Sequence, residues 1–291
     1  MSSITIGMVG IGQLGLPIAR NLLVAGFRVV GYRRRDRAAF VDLGGIALAS
    51  PAEVALQSDF ILTCLPGEAS QLEIMEGPDG LLSALRPGHT VIEMGTYQRS
   101  FKQAMAQRIE SKGARVLEAE VSGSPPLVLA RKASLFLGGD ESLIQDCQPV
   151  LSAIADIQFR IGEFGCAVAM KLIANYLLTI HTLAAAEALN LGVKAGFSAD
   201  KVVEVISKSA GNSMMFTVRA PMMAARAFKP APGPLVTLEK YLEMAGELSE
   251  RLGCASPLFD VAQSYFKRAR ELGMDEEDIS AVIKLIEADS K

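Results

Sequence analysis

ITIGMVGIGQLGLPIARNLLVAGFRVVGYRRR, residues 4–35, decides the fold. An apolar run (4–10) enters Gly10-Ile11-Gly12-Gln13-Leu14-Gly15. A helix-like segment (14–25) follows, and then a second apolar run (28–32). This is GxGxxG in the context that gives it meaning, after a strand and opening a helix. Gly10 permits the tight turn, Gly12 lets the backbone approach a pyrophosphate, and Gly15 allows close helix–strand packing. Exposed N–H groups and the helix dipole favour an anion there. The alternative is a glycine turn with no ligand. A strand, helix and second strand at the right distance favour the dinucleotide, bound by residues 10–15.

The end of the second strand selects which dinucleotide. An NAD site expects a carboxylate about 20 residues after the loop, on the ribose hydroxyls. Here Arg33, Arg34 and Arg35 precede the first available carboxylate, Asp36. Fork-shaped donors suit a 2′-phosphate. The alternative is a solvated basic helix start, which the helix dipole disfavours. The expected coenzyme is therefore NADP(H).

Outward from this stretch, apolar runs at 28–32, 60–66, 90–95, 114–121 and 134–140 alternate with helical patterns at 35–43, 51–56, 69–75, 98–112 and 141–154. That alternation implies βαβ units and a parallel sheet with helices on both faces. After a last short strand near 158–165 the chain reads as helix to its end. The expected fold is α/β, a Rossmann-type doubly wound sheet (1–162) followed by an all-α domain (163–291) for substrate binding and oligomerisation. Residues 166–191 are apolar enough to suggest a membrane span. Lys171, Asn175, His181 and Glu187 interrupt them and would be costly in hydrocarbon. The segment reads instead as a helix buried between domains or subunits, in a homodimer or homotetramer.

Composition excludes other classes. The chain has 291 residues and a net charge of -3, with no footprint for nucleic acid or anionic membrane. The four cysteines, Cys64, Cys147, Cys166 and Cys254, lie far apart without zinc spacing, and the N-terminus lacks the pattern of a signal peptide. Both points indicate a cytoplasmic protein with reduced thiols. Two histidines, His89 and His181, leave little material for a His-based metal site or a Ser–His–Asp triad, and no metal is expected.

Lys171 and Asn175 are four apart and share a helix face. A lysine within CAVAMKLIANYLL has apolar neighbours, and burial lowers an amine from its ordinary value of about 10.4. Such a lysine can exchange a proton with a carbonyl or alcohol oxygen. The alternative is a lysine snorkelling to water. Ser122, Gly123 and Ser124 follow a strand and suit an anion cradle at the carboxyl end of a parallel sheet, or form an ordinary turn. Pro125 and Pro126 donate no N–H, which weakens that cradle.

Taken together, GIGQLGLPIARNLLVAGFRVVGYRR (10–34), TCLPG (63–67), EMGT (93–96), EVSGS (120–124), GEFGCAVAMKLIANY (162–176) and LEKYLEMA (238–245) resemble the β-hydroxyacid dehydrogenase family over nearly the whole chain. This family includes 3-hydroxyisobutyrate dehydrogenase and glyoxylate/succinic semialdehyde reductases. 6-Phosphogluconate dehydrogenase and the imine reductases are relatives. The resemblance implies an oxidoreductase moving hydride between NADP(H) and a small hydroxy acid, semialdehyde or 2-oxo acid. It makes Lys171 the catalytic lysine and Asn175 a substrate-orienting amide. It places Leu65 and Pro66 along the nicotinamide ribose, Thr96 near the nicotinamide, Ser122–Ser124 on the substrate carboxylate, and Lys240 against the nicotinamide. Thr96 can also be read as a helix cap, and Lys240, flanked by Glu239 and Glu243, as a surface residue.

The chain departs from the family at Gly95 (usually serine), at 124–129 (usually a glycine-rich loop), at Ala167 (glycine), at Ala174 (asparagine) and at Tyr241 (aspartate). These departures gather on the substrate side. They leave room for a bulkier carbonyl or an imine as substrate. A non-catalytic NADP-binding sensor is the remaining alternative.

Overall fold

A computed structural model describes residues 4–290. The chain packs as two compact units, one ending at Lys171 and the other beginning at Leu172.

The first unit is built on β1 (Thr5–Val9), β2 (Arg28–Tyr32), β3 (Ile46–Ala47), β4 (Phe60–Thr63), β5 (Thr90–Glu93), β6 (Arg115–Ser122), β7 (Ser134–Gly138) and β8 (Ile157–Gly162). Interspersed are α1 (Gly15–Val24), α2 (Ala38–Asp42), α3 (Pro51–Leu56), α4 (Glu68–Glu76), α5 (Arg99–Glu110), α6 (Pro125–Leu129) and α7 (Glu141–Ile154). The strands form one sheet in the order β3-β2-β1-β4-β5-β6-β7-β8. The chain reverses direction between β1's two neighbours, β2 and β4. This is the switch point at which open α/β sheets bind ligands.

The central strands β1, β4 and β5 are buried along nearly all their length because both faces of the sheet are covered there. Ile6, Met8, Leu62, Ile92 and Leu117 pack with Ile18, Ala19 and Leu22 of α1 and Val150 and Leu151 of α7. Val9, Val30, Ile61 and Val91 pack with Val54 of α3, Met75 of α4 and Met105 and Ile109 of α5.

Three features depart from the expected pattern. β7 runs antiparallel to β6. Only residues 123–133 join them, too short for a right-handed crossover, which needs a dozen or more residues. Strand β3 has two residues, below what periodicity can detect. The altered loop 124–129 folds as the short helix α6, with Pro125 and Pro126 opening it where a missing N–H costs nothing.

The long helix α8 (Cys166–Lys194) leaves the first unit and enters the second. It is long and apolar enough to cross a bilayer, yet Leu172, Leu183, Ala186 and Leu189 along it are buried within the fold.

The second unit continues with α9 (Ala199–Ile206), α10 (Met214–Ala225), α11 (Leu235–Arg251), α12 (Pro257–Glu271), a 3-10 turn (Ile279–Val282) and α13 (Ile283–Asp289). Ser198 and Ser213 cap α9 and α10 through their hydroxyls. Tyr176 stacks on Phe259 with centroids 4.3 Å apart. The buried Arg219–Asp278 pair (2.7 Å) ties α10 to the 3-10 turn, and Asp278 also accepts from the Gly233 N–H.

Candidate active site

The carboxyl ends of β1, β4, β5 and β6 share one edge of the sheet, because these strands are mutually parallel. That edge gathers Gly10, Leu65, Thr96 and Ser122 from distant parts of the sequence.

At β1 the three glycines do three different things. A Cβ on Gly10 would strike the Cys64 carbonyl, so Gly10 lets β1 and the end of β4 approach. A Cβ on Gly15 would strike the Gly10 carbonyl oxygen, so Gly15 lets α1 close on the turn. A Cβ on Gly12 would meet no protein atom within 4 Å and points into open space. Ile11 is buried, whereas Gln13 is exposed and Leu14 half-buried at the start of α1. Helix α1 has no side-chain cap and no acidic residue in its first turn. The first backbone bond of the helix runs from the Leu16 N–H to the Gly12 carbonyl at 3.0 Å, so the N–H groups ahead of it, in the glycine turn, are the ones left for an anion.

The three arginines lie in the turn between β2 and α2. The helix begins at Ala38 and not at 35, so they precede it. Arg37, which sequence reasoning passed over, folds this turn. Its guanidinium donates to the carbonyls of Arg33 (2.6 Å) and Leu48 (2.9 Å) and lies over the Tyr32 ring. Arg33 donates to the Asp36 carbonyl at 3.2 Å, and Arg34 pairs with Glu73 on α4. Arg34 and Arg35 remain exposed. Leu65 and Pro66 follow β4, Leu65 half-buried and Pro66 exposed.

At the ends of β5 and β6 the structure holds a charge cluster that sequence reasoning missed. The Lys102 ammonium, fully buried, lies 2.6 Å from Glu120, 2.7 Å from Glu93 and 3.0 Å from Glu118, and donates to the Gly95 carbonyl at 2.8 Å. Burial disfavours its charge, but the carboxylates of Glu120, Glu93 and Glu118 outweigh that and hold its proton more tightly than usual. Burial is also the main reason the Glu93 carboxyl is pushed up to about 7. Lys102 opposes the shift and Glu120 adds to it.

A signal for this cluster existed. Glu118 and Glu120 alternate within an otherwise apolar buried strand, so both face the same side. Lys102 lies three, four and seven residues before Met105, Ala106 and Ile109 on the buried face of α5.

Thr96 is 6% exposed and donates its hydroxyl proton to Glu120 at 2.6 Å. It does not cap α5, whose N-cap is Gln98. The unusual Gly95 has a local cause. Tyr97 folds its ring back over residue 95, where any Cβ would collide with it, and its hydroxyl donates to the Leu65 carbonyl. Burial, then the charge of Glu93, keeps this phenol protonated well beyond its ordinary range.

Glu118 does a second job. Its carboxylate accepts from the N–H groups of Gly165 (2.7 Å), Ala167 (3.0 Å) and Val168 (3.0 Å), fixing the first turn of α8 to the sheet. One turn later on α8, Lys171 is 8% exposed and its ammonium donates to the Val121 carbonyl at 2.7 Å. Lys171 thus stands beside Ser122, Gly123 and Ser124, each half-buried. No protein group among the described residues takes the hydroxyl of Ser122 or Ser124. Asn175, a further turn along α8, is 7% exposed, and its Nδ2 has no hydrogen-bond partner among the described residues.

Lys240 lies on α11, with its ammonium 5.1 Å from the centre of the Tyr241 ring. A groove of about 650 Å³ between α11 and α12 is lined by Glu239, Leu242 and Glu243 of the same motif and by none of the other candidate site residues. His89 is buried in the turn before β5. Its Nδ1 accepts from the Arg86 N–H, and burial followed by Arg86 lowers its pKa, so it serves structure as a neutral ring.

The chain is similar to known proteins over nearly its whole length. Residues 5–170 match the family described as the NAD binding domain of 6-phosphogluconate dehydrogenase. Residues 165–286 match that described as the NAD-binding region of NADP-dependent 3-hydroxyisobutyrate dehydrogenase. The chain is 32% identical over 287 residues to 2-(hydroxymethyl)glutarate dehydrogenase of Eubacterium barkeri, covering 98% of this chain and 95% of that one. It is 32% identical over 283 residues to L-threonate dehydrogenase of Cupriavidus necator, covering 96% and 95%. A crystal structure of 3-hydroxyisobutyrate dehydrogenase from Salmonella typhimurium superposes with a TM-score of 0.87 at 28% identity, covering 97% of this chain and all of that one.

Proposed function

Because this chain belongs to the β-hydroxyacid dehydrogenase family, and so is an oxidoreductase acting on CH–OH groups with a nicotinamide coenzyme, we propose that it uses NADP(H) and that Lys171 exchanges the proton. One observation carries this reading: the Lys171 ammonium sits on the Val121 carbonyl, at the same sheet edge as Thr96 and the glycine turn.

The glycine turn fits the coenzyme. The open space beside Gly12 and the uncapped start of α1 are what a pyrophosphate needs. Leu65 and Pro66 border the nicotinamide ribose, and Lys240 contacts the nicotinamide. Arg33, Arg34 and Arg35 take the 2′-phosphate. Arg34 exchanges its solvent-exposed pairing with Glu73, a weak one, for that phosphate.

The coenzyme gives or takes the hydride. Ser122 and Ser124, with hydroxyls uncommitted to protein, hold the substrate carboxylate. Asn175 offers its unpartnered amide to the substrate. Lys171 gives a proton to the carbonyl oxygen in reduction and removes one from the alcohol in oxidation. The substrate is a small semialdehyde, 2-oxo acid or hydroxy acid. A bulkier carbonyl or imine is favoured only by Pro125 and Pro126, which leave the cradle short of N–H donors.

We further propose a cytoplasmic homodimer or homotetramer. Met170, Ile173, Leu177 and Leu191 are exposed along one face of α8, a stripe that a second copy would cover.

The test is NADPH oxidation with glyoxylate, succinic semialdehyde, methylmalonate semialdehyde and tartronate semialdehyde. Lys171→Ala and Lys171→Met should lower kcat by roughly 10²–10⁴-fold with NADPH affinity retained. Unchanged turnover would remove Lys171 from the chemistry, and NADPH binding without turnover of any aldehyde by wild type would favour a sensor. Arg34→Ala should weaken NADPH about tenfold or more while leaving NADH unaffected.

A further inference from the structure

A hydroxyl has one proton and two lone pairs to offer. The Thr96 proton is already spent, donated to Glu120 Oε2 at 2.6 Å. The other oxygen of that carboxylate is held by Lys102, also at 2.6 Å. An ion-paired carboxylate accepts and cannot donate, so the direction of the Thr96–Glu120 bond is fixed. What Thr96 presents to a ligand is lone pairs alone. Behind it stands one ammonium among three carboxyls, Glu93, Glu118 and Glu120, so the local charge balance is negative. Ser122 and Ser124 differ, since no protein group among the described residues takes their hydroxyl protons. Thr96 after β5 thus offers only acceptors, whereas the serines after the neighbouring β6 can donate.

We propose that Glu120 is a positioning residue that makes the Thr96 hydroxyl an obligate acceptor, so that the group bound against it is a donor, the amide N–H of the nicotinamide carboxamide, and never a carboxylate. This rests on the reading above that Thr96 faces the nicotinamide. It adds a consequence: the substrate carboxylate is excluded from the Thr96 end and confined to Ser122 and Ser124. It also fixes which way round the carboxamide binds.

Glu120→Gln is the discriminating change because Lys102 dictates how the new amide sits. The ammonium must face the amide oxygen, which turns the amide N–H₂ towards Thr96. Thr96 then accepts from residue 120, and its own proton is released to the ligand. The variant reverses the polarity of Thr96 with almost no change of shape.

The probes are NADP+ and its 3-acetylpyridine analogue, which keeps the carbonyl and lacks the amide N–H. Binding is measured by calorimetry, with the thermal midpoint confirming a folded protein. Wild type should prefer NADP+ by about tenfold, the worth of one hydrogen bond made or left unmade. In Glu120→Gln the preference should fall to within about twofold of unity, because either coenzyme can offer its carbonyl to a donating Thr96. Thr96→Ser should keep the preference. Thr96→Val, which leaves the ion cluster intact, should lose it, and adding Glu120→Gln to Thr96→Val should change nothing more.

Equal binding of the two coenzymes by wild type would overturn the inference. So would a tenfold preference that survives in Glu120→Gln, or an effect of that change that persists without the Thr96 hydroxyl. Failure of wild type to bind NADP+ at all would instead overturn the coenzyme reading on which the inference rests.

Discussion

Replacing Lys102 with methionine keeps most of its side-chain volume and removes its charge. Four contacts vanish together: Glu120 at 2.6 Å, Glu93 at 2.7 Å, Glu118 at 3.0 Å and the Gly95 carbonyl at 2.8 Å. Glu93 and Glu118 are also directly paired across β5 and β6, so without the ammonium like charges face each other in a buried ladder. Removing one partner of a buried ion pair costs roughly 3–5 kcal/mol, because the remaining charge is stranded. For a unit of this size each kcal/mol shifts the thermal midpoint by about 2–4 °C, so the expected loss at pH 7 is on the order of 6–20 °C.

The assay is thermal unfolding of wild type and Lys102→Met followed by circular dichroism at pH 5, 6, 7 and 8. Stranded carboxyls take up protons in the folded state, which relieves their repulsion as pH falls. The gap between the proteins should therefore narrow towards pH 5. A midpoint within about 2 °C of wild type at pH 7, or a gap that widens on acidification, would refute the view that Lys102 neutralises this cluster.

Gly12→Ala should leave the thermal midpoint within about 1 °C and abolish calorimetric NADPH binding, since its Cβ occupies only the open space beside the turn. Gly15→Ala should lose both stability and binding, because its Cβ strikes the Gly10 carbonyl. Gly95→Ser should destabilise by about 1–3 kcal/mol in urea unfolding, through overpacking against Tyr97, and the same change made in a Tyr97→Ser background should cost less than about 0.5 kcal/mol. Burial above all raises the Glu93 pKa from 4.5 to about 7. Between those values the folded state binds the proton and the unfolded state releases it, so this group's contribution to stability falls as pH rises from 4.5 to 7. Glu93→Gln should be spared that fall, and its midpoint should gain on wild type by the equivalent of about 1–3 kcal/mol between pH 5 and pH 8.

The glycine turn after β1 was legible because its requirements are local. Gly10 and Gly15 act through backbone approach over a few residues, and Gly12 faces open space. Strand β2 and helices α3 and α7 have the limits their patterns gave, and α3 and α7 start where Ser50-Pro51 and Gly139-Asp140 open them. The reversal of β7 was less visible, because strand alternation carries no sign of direction. Only the shortness of 123–133 betrays it. The lysine–glutamate cluster was missed for another reason. Its members come from β5, α5 and β6, and each is unremarkable alone. A buried glutamate becomes informative only when its counter-charge is sought on a different element. Gly95 showed as a departure from the family, but its cause lies two residues away, in a ring whose direction no periodicity predicts.

The pairing of Gly95 with Tyr97 also constrains how the two residues arose. Glycine at position 95 is compatible with a small or a large neighbour, whereas the tyrosine is compatible with glycine alone. A lineage carrying serine at 95 reaches this arrangement by losing the serine first and gaining the aromatic ring second. In the reverse order it passes through a clashing intermediate. Once the ring is in place the path back is closed at position 95 until position 97 changes. A history of this kind leaves descendants with glycine and no tyrosine, and none with tyrosine and no glycine.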